Sequence, residues 1–222
     1  MSNSLFRSLN SGTFIGNMGK MNQKEATDNA REMMKEPADE DLIKRFQNGD
    51  LYAFDLLVQR YKNRLLNFAY RFLGNQEEAE DVVQETFLRL YRNRNAYKKI
   101  AKFSTWIYTI AGNLAKTELR KRKRRKLVSI SDFGYDEKDY EIADVAFSPE
   151  TAADGSLKDE RIQEAIEKLS PRFREVIILR EIEELSYEEI SEIIKAPLGT
   201  VKSRVNRARN ALQFYLKDIL ES

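Results

Sequence analysis

The chain has 222 residues, 41% of them hydrophobic and 33% charged, with 38 Lys plus Arg against 36 Asp plus Glu for a formal net charge of +2. It holds no cysteine and no histidine, which excludes disulfides, thiolate zinc sites, cysteine nucleophiles and every imidazole base or metal ligand. The length suits one large or two small domains. No apolar run approaches the ~20 residues of a membrane span, and the N-terminus lacks a signal-peptide apolar core. This is the composition of a cytoplasmic chain without membrane insertion.

Residues 1–37 are polar, poor in aliphatics and without sustained period, so they read as a disordered N-terminal extension. From residue 39 the pattern becomes helical. Asp39 or Glu40 opens a short helix that Gly49 closes. Asp50 caps a second, with Phe54, Leu57, Val58, Tyr61, Leu65, Ala69, Phe72 and Leu73 at helical spacing until Gly74 ends it. Asn75 caps a third, in which Ala79, Val82, Val83, Phe87, Leu90 and Tyr91 form the apolar stripe. Its other face carries Glu77, Glu78, Glu80, Asp81 and Glu85, with Gln84 and Arg89. Carboxylates repel phosphate, so this face serves either solubility or docking on a basic, helical protein partner.

A loop over 93–103 leads to a fourth helix, from Ser104 to about Arg125. Ile107, Ile110, Ala111 and Leu114 are its buried stripe; Trp106, Thr109, Asn113, Lys116 and Arg120 form the opposite one, at steps of three and four. Residues 120–126 are seven uninterrupted cations. The loop brings Arg94, Asn95, Tyr97, Lys98, Lys99, Lys102 and Phe103. Cations interleaved with rings suit an unpaired nucleic-acid strand, the bases stacking at ~1–3 kcal/mol each; packing of a lone Trp beside a solvated basic run is the competing reading. Four amphipathic helices sharing a core make 38–126 a helical domain.

Residues 127–157 contain Pro149, two glycines and no sustained period, and read as a flexible linker. Within them, 129–157 hold eight acids against Lys138 alone, a net of −7. From Lys158 the helical pattern resumes with Ile162, Ala165, Ile166 and Leu169. Ser170-Pro171 is a cap followed by proline at the first helical position, and Ser186-x-x-Glu189 fits a capping box. Ala196-Pro197-Leu198-Gly199 interrupts the pattern before a last helix from Leu198 or Thr200 to Leu220.

A short helix, a Pro/Gly turn and a longer basic helix follow the helix-turn-helix plan, in which the second helix enters a major groove. Val201, Val205, Ala208 and Leu212 fall within about 60° of one another and face Ile190, Ile193 and Ile194. Thr200, Ser203, Arg204 and Arg207 gather on a second stripe about 100° away, flanked by Lys202, Asn206 and Arg209. Arginine can bond a guanine edge in a bidentate way, and lysine or hydroxyl groups suit phosphates. No strand alternation stands out: the chain is read as all-α, two small helical domains (38–126 and 158–222) joined by an acidic linker.

Four strings then carry a family resemblance: Glu80–Tyr91 (EDVVQETFLRLY), Phe103–Asn113 (FSTWIYTIAGN), Leu169–Val176 (LSPRFREV) and Gly199–Arg209 (GTVKSRVNRAR). In this order, with a linker between the second and third, they resemble the extracytoplasmic-function (ECF) RNA polymerase sigma factors. The resemblance implies a region 2-like domain and a region 4-like helix-turn-helix domain. It implies a bacterial RNA polymerase core as partner, with Asp81, Gln84 and Glu85 on the β′ clamp helices and the C-terminal domain touching the β flap. Promoter DNA is implied twice. Asn95, Tyr97, Trp106, Asn113, Lys116 and Arg120 would capture the melting −10 strand, and Thr200, Lys202, Ser203, Arg204 and Arg207 would read the −35 duplex. The linker would thread the catalytic cleft and RNA exit path, and an anti-sigma factor is a further expected partner. Thr117 stands where the family usually has Asp or Asn, and Gly112 where a larger residue is common.

No catalytic residue, metal or cofactor is expected. A stand-alone helix-turn-helix regulator would bind its operator without polymerase, palindromically if dimeric. An enzyme built on the carboxylates of 77–85 would need a paired motif elsewhere that the chain lacks.

Overall fold

The structure is a computed structural model that describes residues 36–98, 101–131 and 154–217, with side chains over 36–98, 101–125 and 159–217. All regular structure among the described residues is helical. The expected N-terminal extension lies outside them except for residues 36 and 37, and the expected linker except for 127–131 and 154–157.

Helix α1 (Asp39–Gln47) carries Asp39, Glu40 and Asp41 in its first turn, where carboxylates complement the helix dipole, and buries Leu42, Ile43 and Phe46. Helix α2 (Leu51–Leu73) is capped by Asp50, whose carboxylate accepts the Ala53 N–H at 3.2 Å. It ends at Gly74, whose φ of 68° closes the last turn through an N–H to Tyr70 O bond of 2.7 Å. Leu57, Tyr61, Leu65, Phe68, Ala69, Phe72 and Leu73 are buried along it. Helix α3 (Gln76–Arg92) starts at Asn75, which accepts the Glu78 N–H at 2.9 Å. The caps fall where the sequence places them.

Helix α4 (Phe103–Ser131) extends past the expected end near Arg125. The reason is local: no glycine or proline stands between Lys116 and Ser131, and Glu118 pairs with Lys121 at 3.0 Å and Arg125 at 2.6 Å. Arg122 ties the helix to the end of α2 by bonding Leu73 O at 3.0 Å and to α3 through the Glu78 carboxylate. Helix α5 (Asp154–Lys168) begins four residues before the expected Lys158. Both helices therefore take residues from the stretch read as linker.

Helix α6 (Pro171–Ile177) has proline in its first turn, and Ser170 precedes it in extended geometry without a side-chain cap; the Ser170 carbonyl instead accepts the Phe173 and Arg174 N–H groups at 2.9 Å. It continues into one π-type turn, Ile178–Ile182, closed by Glu183 N–H to Ile178 O at 3.1 Å. Helix α7 (Tyr187–Ile194) opens on the expected capping box, with Glu189 N–H to Ser186 Oγ at 3.1 Å and Ser186 N–H to Glu189 Oε2 at 2.8 Å. Helix α8 (Leu198–Tyr215) follows the turn at Lys195–Pro197.

The two helical domains pack on each other. Expected core residues Ile107 and Ala111 of α4 are buried, but Ile110 and Leu114 are only half-buried, whereas Tyr108 is fully buried. A second face of α4, Tyr108–Gly112–Lys116 at steps of four, is covered by the C-terminal domain. Across the same junction Arg174, 8% exposed, bonds Phe72 O at 2.6 Å, while within its own domain it bonds Leu169 O at 3.3 Å and Glu167 O. Gln163 reaches the Arg71 carbonyl at 3.3 Å, and Arg71 pairs with Asp159 at 2.7 Å.

Candidate nucleic-acid and polymerase interfaces

The helix-turn-helix is built from local signals. The capping box starts α7; Lys195, at φ 52°, ends it in a left-handed turn, and Ser191 Oγ holds the turn by donating to Ala196 O at 2.6 Å. Thr200 and Val201 then send their N–H groups to Pro197 O at 2.8 and 3.1 Å, starting α8. Val201, Val205 and Ala208 are buried at 0% exposure, as are Ile190 at 0% and Ile193 at 3% on the facing side. That rotation leaves Lys202, Ser203 and Arg207 exposed and Thr200 and Arg204 half-buried at the rim. Among the described residues no carboxylate pairs with Lys202, Arg204 or Arg207, whereas their neighbour Arg209 is tied to Glu181 at 2.7 Å. Lys202 lies 5.9 Å from the Tyr187 ring and Arg180 4.7 Å from it on the same domain. The exposed side of α8 is thus a cationic ridge on which Lys202, Arg204 and Arg207 have no carboxylate partner among the described residues.

The face around α4 is different. Trp106 is half-buried and packs on Tyr97, ring centroids 5.4 Å apart, and on Phe103 at 6.2 Å. Tyr97 itself is buried, donating its hydroxyl to Ala101 O at 2.8 Å; burial comes first among the causes that raise its pKa, with Glu40 and Asp39 adding to it. Its ring therefore supports Trp106 from beneath in this conformation. Gln47 fastens the loop from below through Arg94 O at 2.7 Å and Tyr97 O at 3.1 Å, and Glu40 caps α4 by accepting the Phe103 N–H at 3.1 Å. Asn95 and Asn113 are exposed, as is Arg120, which donates to Lys116 O and Thr117 Oγ1. Thr117 folds back on Asn113 O at 2.8 Å. Lys116 is half-buried and paired with Glu175 of the C-terminal domain at 3.0 Å. The ladder Trp106–Asn113–Lys116–Arg120 thus shares one side of α4, with Asn95 and Tyr97 at its N-terminal end.

On α3, Asp81 and Gln84 are exposed and Glu85 is half-buried beside Arg89 at 2.8 Å. Their stripe continues into Leu88, 47% exposed, and Tyr91, 42% exposed. Tyr91, expected in the apolar stripe, does rest its ring on Phe46 and Phe54 at 5.5 and 5.4 Å but stays exposed to water. Leu88 stands seven residues after Asp81 and four after Gln84, a spacing that puts it on the acidic face and outside the apolar stripe. The acidic stripe therefore ends in an apolar step.

A family profile described as Sigma-70 region 2 matches residues 57–125, and one described as Sigma-70, region 4 matches residues 159–212. The RNA polymerase sigma-H factor of Pseudomonas aeruginosa is 39% identical over 194 residues, covering 85% of this chain and 98% of that one. The ECF RNA polymerase sigma factor SigW of Bacillus subtilis is 39% identical over 186 residues, covering 80% and 96%. Among solved structures, the sigma factor RpoE of Bartonella quintana, crystallised with the anti-sigma factor NepR, superposes with a TM-score of 0.60 at 34% identity over 74% of this chain and 96% of its own. CnrH, solved with the cytosolic domain of CnrY, shares the fold at a TM-score of 0.63 and 23% identity, over 82% and 99% of the two chains.

Proposed function

This chain belongs to the ECF RNA polymerase sigma factors, promoter-recognition and transcription-initiation factors, and from that premise we propose how its surfaces divide the work. The α8 ridge reads the −35 element as duplex: Arg204 and Arg207 reach base edges, and Thr200, Lys202 and Ser203 set the register on phosphates. The α4 ladder captures the −10 strand as it melts. Trp106 offers a stacking face beside Asn95 and Tyr97, while Asn113, Lys116 and Arg120 follow the backbone. Unstacking costs only a few kcal/mol per base, so stacking and phosphate contacts can offset it without ATP.

Asp81, Gln84 and Glu85 dock on the β′ clamp helices of the core enzyme, with Leu88 and Tyr91 supplying the apolar part of the contact. The C-terminal domain meets the β flap, and the acidic stretch between the domains lies along the cleft and the RNA exit path. An anti-sigma factor restrains the chain in the cytoplasm until it is needed. No reaction is carried out by the chain itself; among the described residues no helix is long and apolar enough to cross a membrane.

The observation that carries this reading is the α8 ridge, where Lys202, Arg204 and Arg207 have no carboxylate partner among the described residues, on a helix whose opposite side buries Val201, Val205 and Ala208. The test is to add the purified chain to core polymerase with a genomic library and score promoter-dependent initiation. Initiation at a discrete −35/−10 motif supports the division of labour. Selection of the same sites by the chain alone would overturn it.

A further inference from the structure

The two rings that support Trp106 are both held by one short helix. Gln47, at the end of α1, donates its amide to Arg94 O at 2.7 Å and to Tyr97 O at 3.1 Å. Glu40, in the first turn of α1, accepts the Phe103 N–H at 3.1 Å. Tyr97 and Phe103 are the rings on which Trp106 rests, with centroids 5.4 and 6.2 Å from its own. Each bond thus fixes the backbone from which one supporting ring hangs. The two side chains stand seven residues apart, about 10 Å along the helix axis.

Helix α1 is itself fixed from another side. Leu42, Ile43 and Phe46 are buried, and the Asp39 carboxylate accepts from Arg60 and from the Tyr61 hydroxyl of α2. Tyr61 in turn meets the Phe103 ring edge-on at 5.3 Å. The start of α4 has need of an outside partner, because the residue before it is Lys102, whose side chain carries donors only and cannot cap a helix. The acceptor comes from Glu40, 63 positions earlier. On the other flank Tyr97 donates to Ala101 O at 2.8 Å, so what Gln47 fixes at residues 94–97 carries over to the approach to α4. The Sigma-70 region 2 profile begins at residue 57, after α1 has ended.

We propose that α1 is the brace of the strand-capture site: Gln47 and Glu40 are positioning residues that set the Trp106 ring, through Tyr97 and Phe103, at the angle in which an unpaired base stacks on it. An indole free to turn would have to be ordered by every base it takes, a cost that a ring fixed beforehand avoids. In this role α1 touches no DNA; it acts only through the two rings. The inference rests on the reading of α4 as the strand-capture helix.

The experiment uses the full chain, and because Trp106 is its only tryptophan, intrinsic fluorescence reports that ring alone. Gln47→Met keeps the side-chain length and removes the N–H donors. Glu40→Met removes the acceptor, and Glu40→Gln restores one. Ile43→Val trims the buried face of α1 and leaves both bonds in place. In the free chain both Met variants should lower the Trp106 anisotropy and raise its quenching by acrylamide, while Glu40→Gln and Ile43→Val match wild type. With core polymerase and a promoter found in the initiation screen, both Met variants should form the closed complex normally. Their permanganate reactivity should then appear about tenfold more slowly, within the range that one stacked base contributes. Should Gln47→Met not fold, Gln47→Asn, too short to reach both carbonyls, carries the same expectation. A ring as fixed in the Met variants as in wild type overturns the proposal, as does slow opening matched by Ile43→Val. Trp106→Ala, run in parallel, separates the two readings. If it opens slowly while Gln47→Met does not, only the brace falls; if it opens at the wild-type rate, strand capture by this ring falls and takes the brace with it.

Discussion

Ser186 and Glu189 do two jobs with one pair of side chains. Burial pushes the Glu189 carboxyl up, but the Ser186 N–H, the Lys102 ammonium and the Ser186 hydroxyl outweigh it and hold the group below the usual carboxylate range. A carboxyl depressed in the folded state contributes stability above its unfolded pKa and loses it as pH falls through the folded one. The helix-turn-helix domain should therefore weaken on acidification, and Glu189→Gln should weaken less steeply in denaturation followed from neutral to acidic pH. Ser186→Ala is expected to cost about 1 kcal/mol at neutral pH, the usual worth of an N-cap, read as a shift in the urea midpoint. On the DNA side the cations differ in kind. Arg204→Ala or Arg207→Ala should weaken −35 duplex binding by about 1–3 kcal/mol and relax specificity at one position, whereas Lys202→Ala should weaken all sequences alike and reduce the salt slope by about one. Equal losses on cognate and scrambled duplexes at every salt concentration would strip the arginines of their base contacts.

Helices α3 and α4 each present two working faces. α3 buries Ala79, Val82, Val83 and Leu90 and turns Asp81, Gln84 and Glu85 outward, so charge can be reversed there without touching the core. Asp81→Lys with Glu85→Lys should leave helical content intact and lower affinity for core polymerase about tenfold or more, since like charges set against each other cost several kcal/mol; unchanged assembly in a sedimentation assay would move the docking site elsewhere. In α4, Trp106 is braced by Tyr97 and Phe103 rather than standing alone. Trp106→Ala should spare the closed complex and depress permanganate reactivity in the melted region, by the ~1–3 kcal/mol that a stacked base contributes. Normal reactivity would leave the ring with a packing role only.

Across the whole described chain, the two domains are held by bonds that no single element needs for itself. Arg174 is the clearest case. It sits on α6 but bonds the carbonyl of Phe72 on α2, and burial lowers its pKa while Glu167 works in the opposite sense. Its removal would strand buried carbonyls, at about 1–3 kcal/mol for such a group. The intact chain should unfold in a single calorimetric transition, and Arg174→Ala should split it into two, one per domain. A single transition in both would mean that the apolar contacts alone couple the domains. Glu183 reports the same junction. Burial raises its carboxyl pKa against the opposing effects of Tyr108 and Arg64, so this group's own contribution favours the packed state more strongly as pH falls.

Much of this was readable in one dimension because the information was local. Asp50, Gly74, Asn75 and the Ser186–Glu189 box announce helix ends through bonds made within four residues, and the α8 stripes follow from a fixed rotation per residue. The order of motifs and the acidic break between them likewise identify two modules and their family. What the linear text could not supply was anything requiring the modules to meet. Tyr108 lies outside the expected stripe because its ring rests on Phe68 of α2 at 5.6 Å and its hydroxyl meets Glu183, 75 residues away, and what a side chain at Gly112 would meet is the Glu175 carboxylate, on another helix. Periodicity reports that a face is apolar or charged; it does not report what stands opposite, which for Lys116 is the Glu175 carboxylate at 3.0 Å.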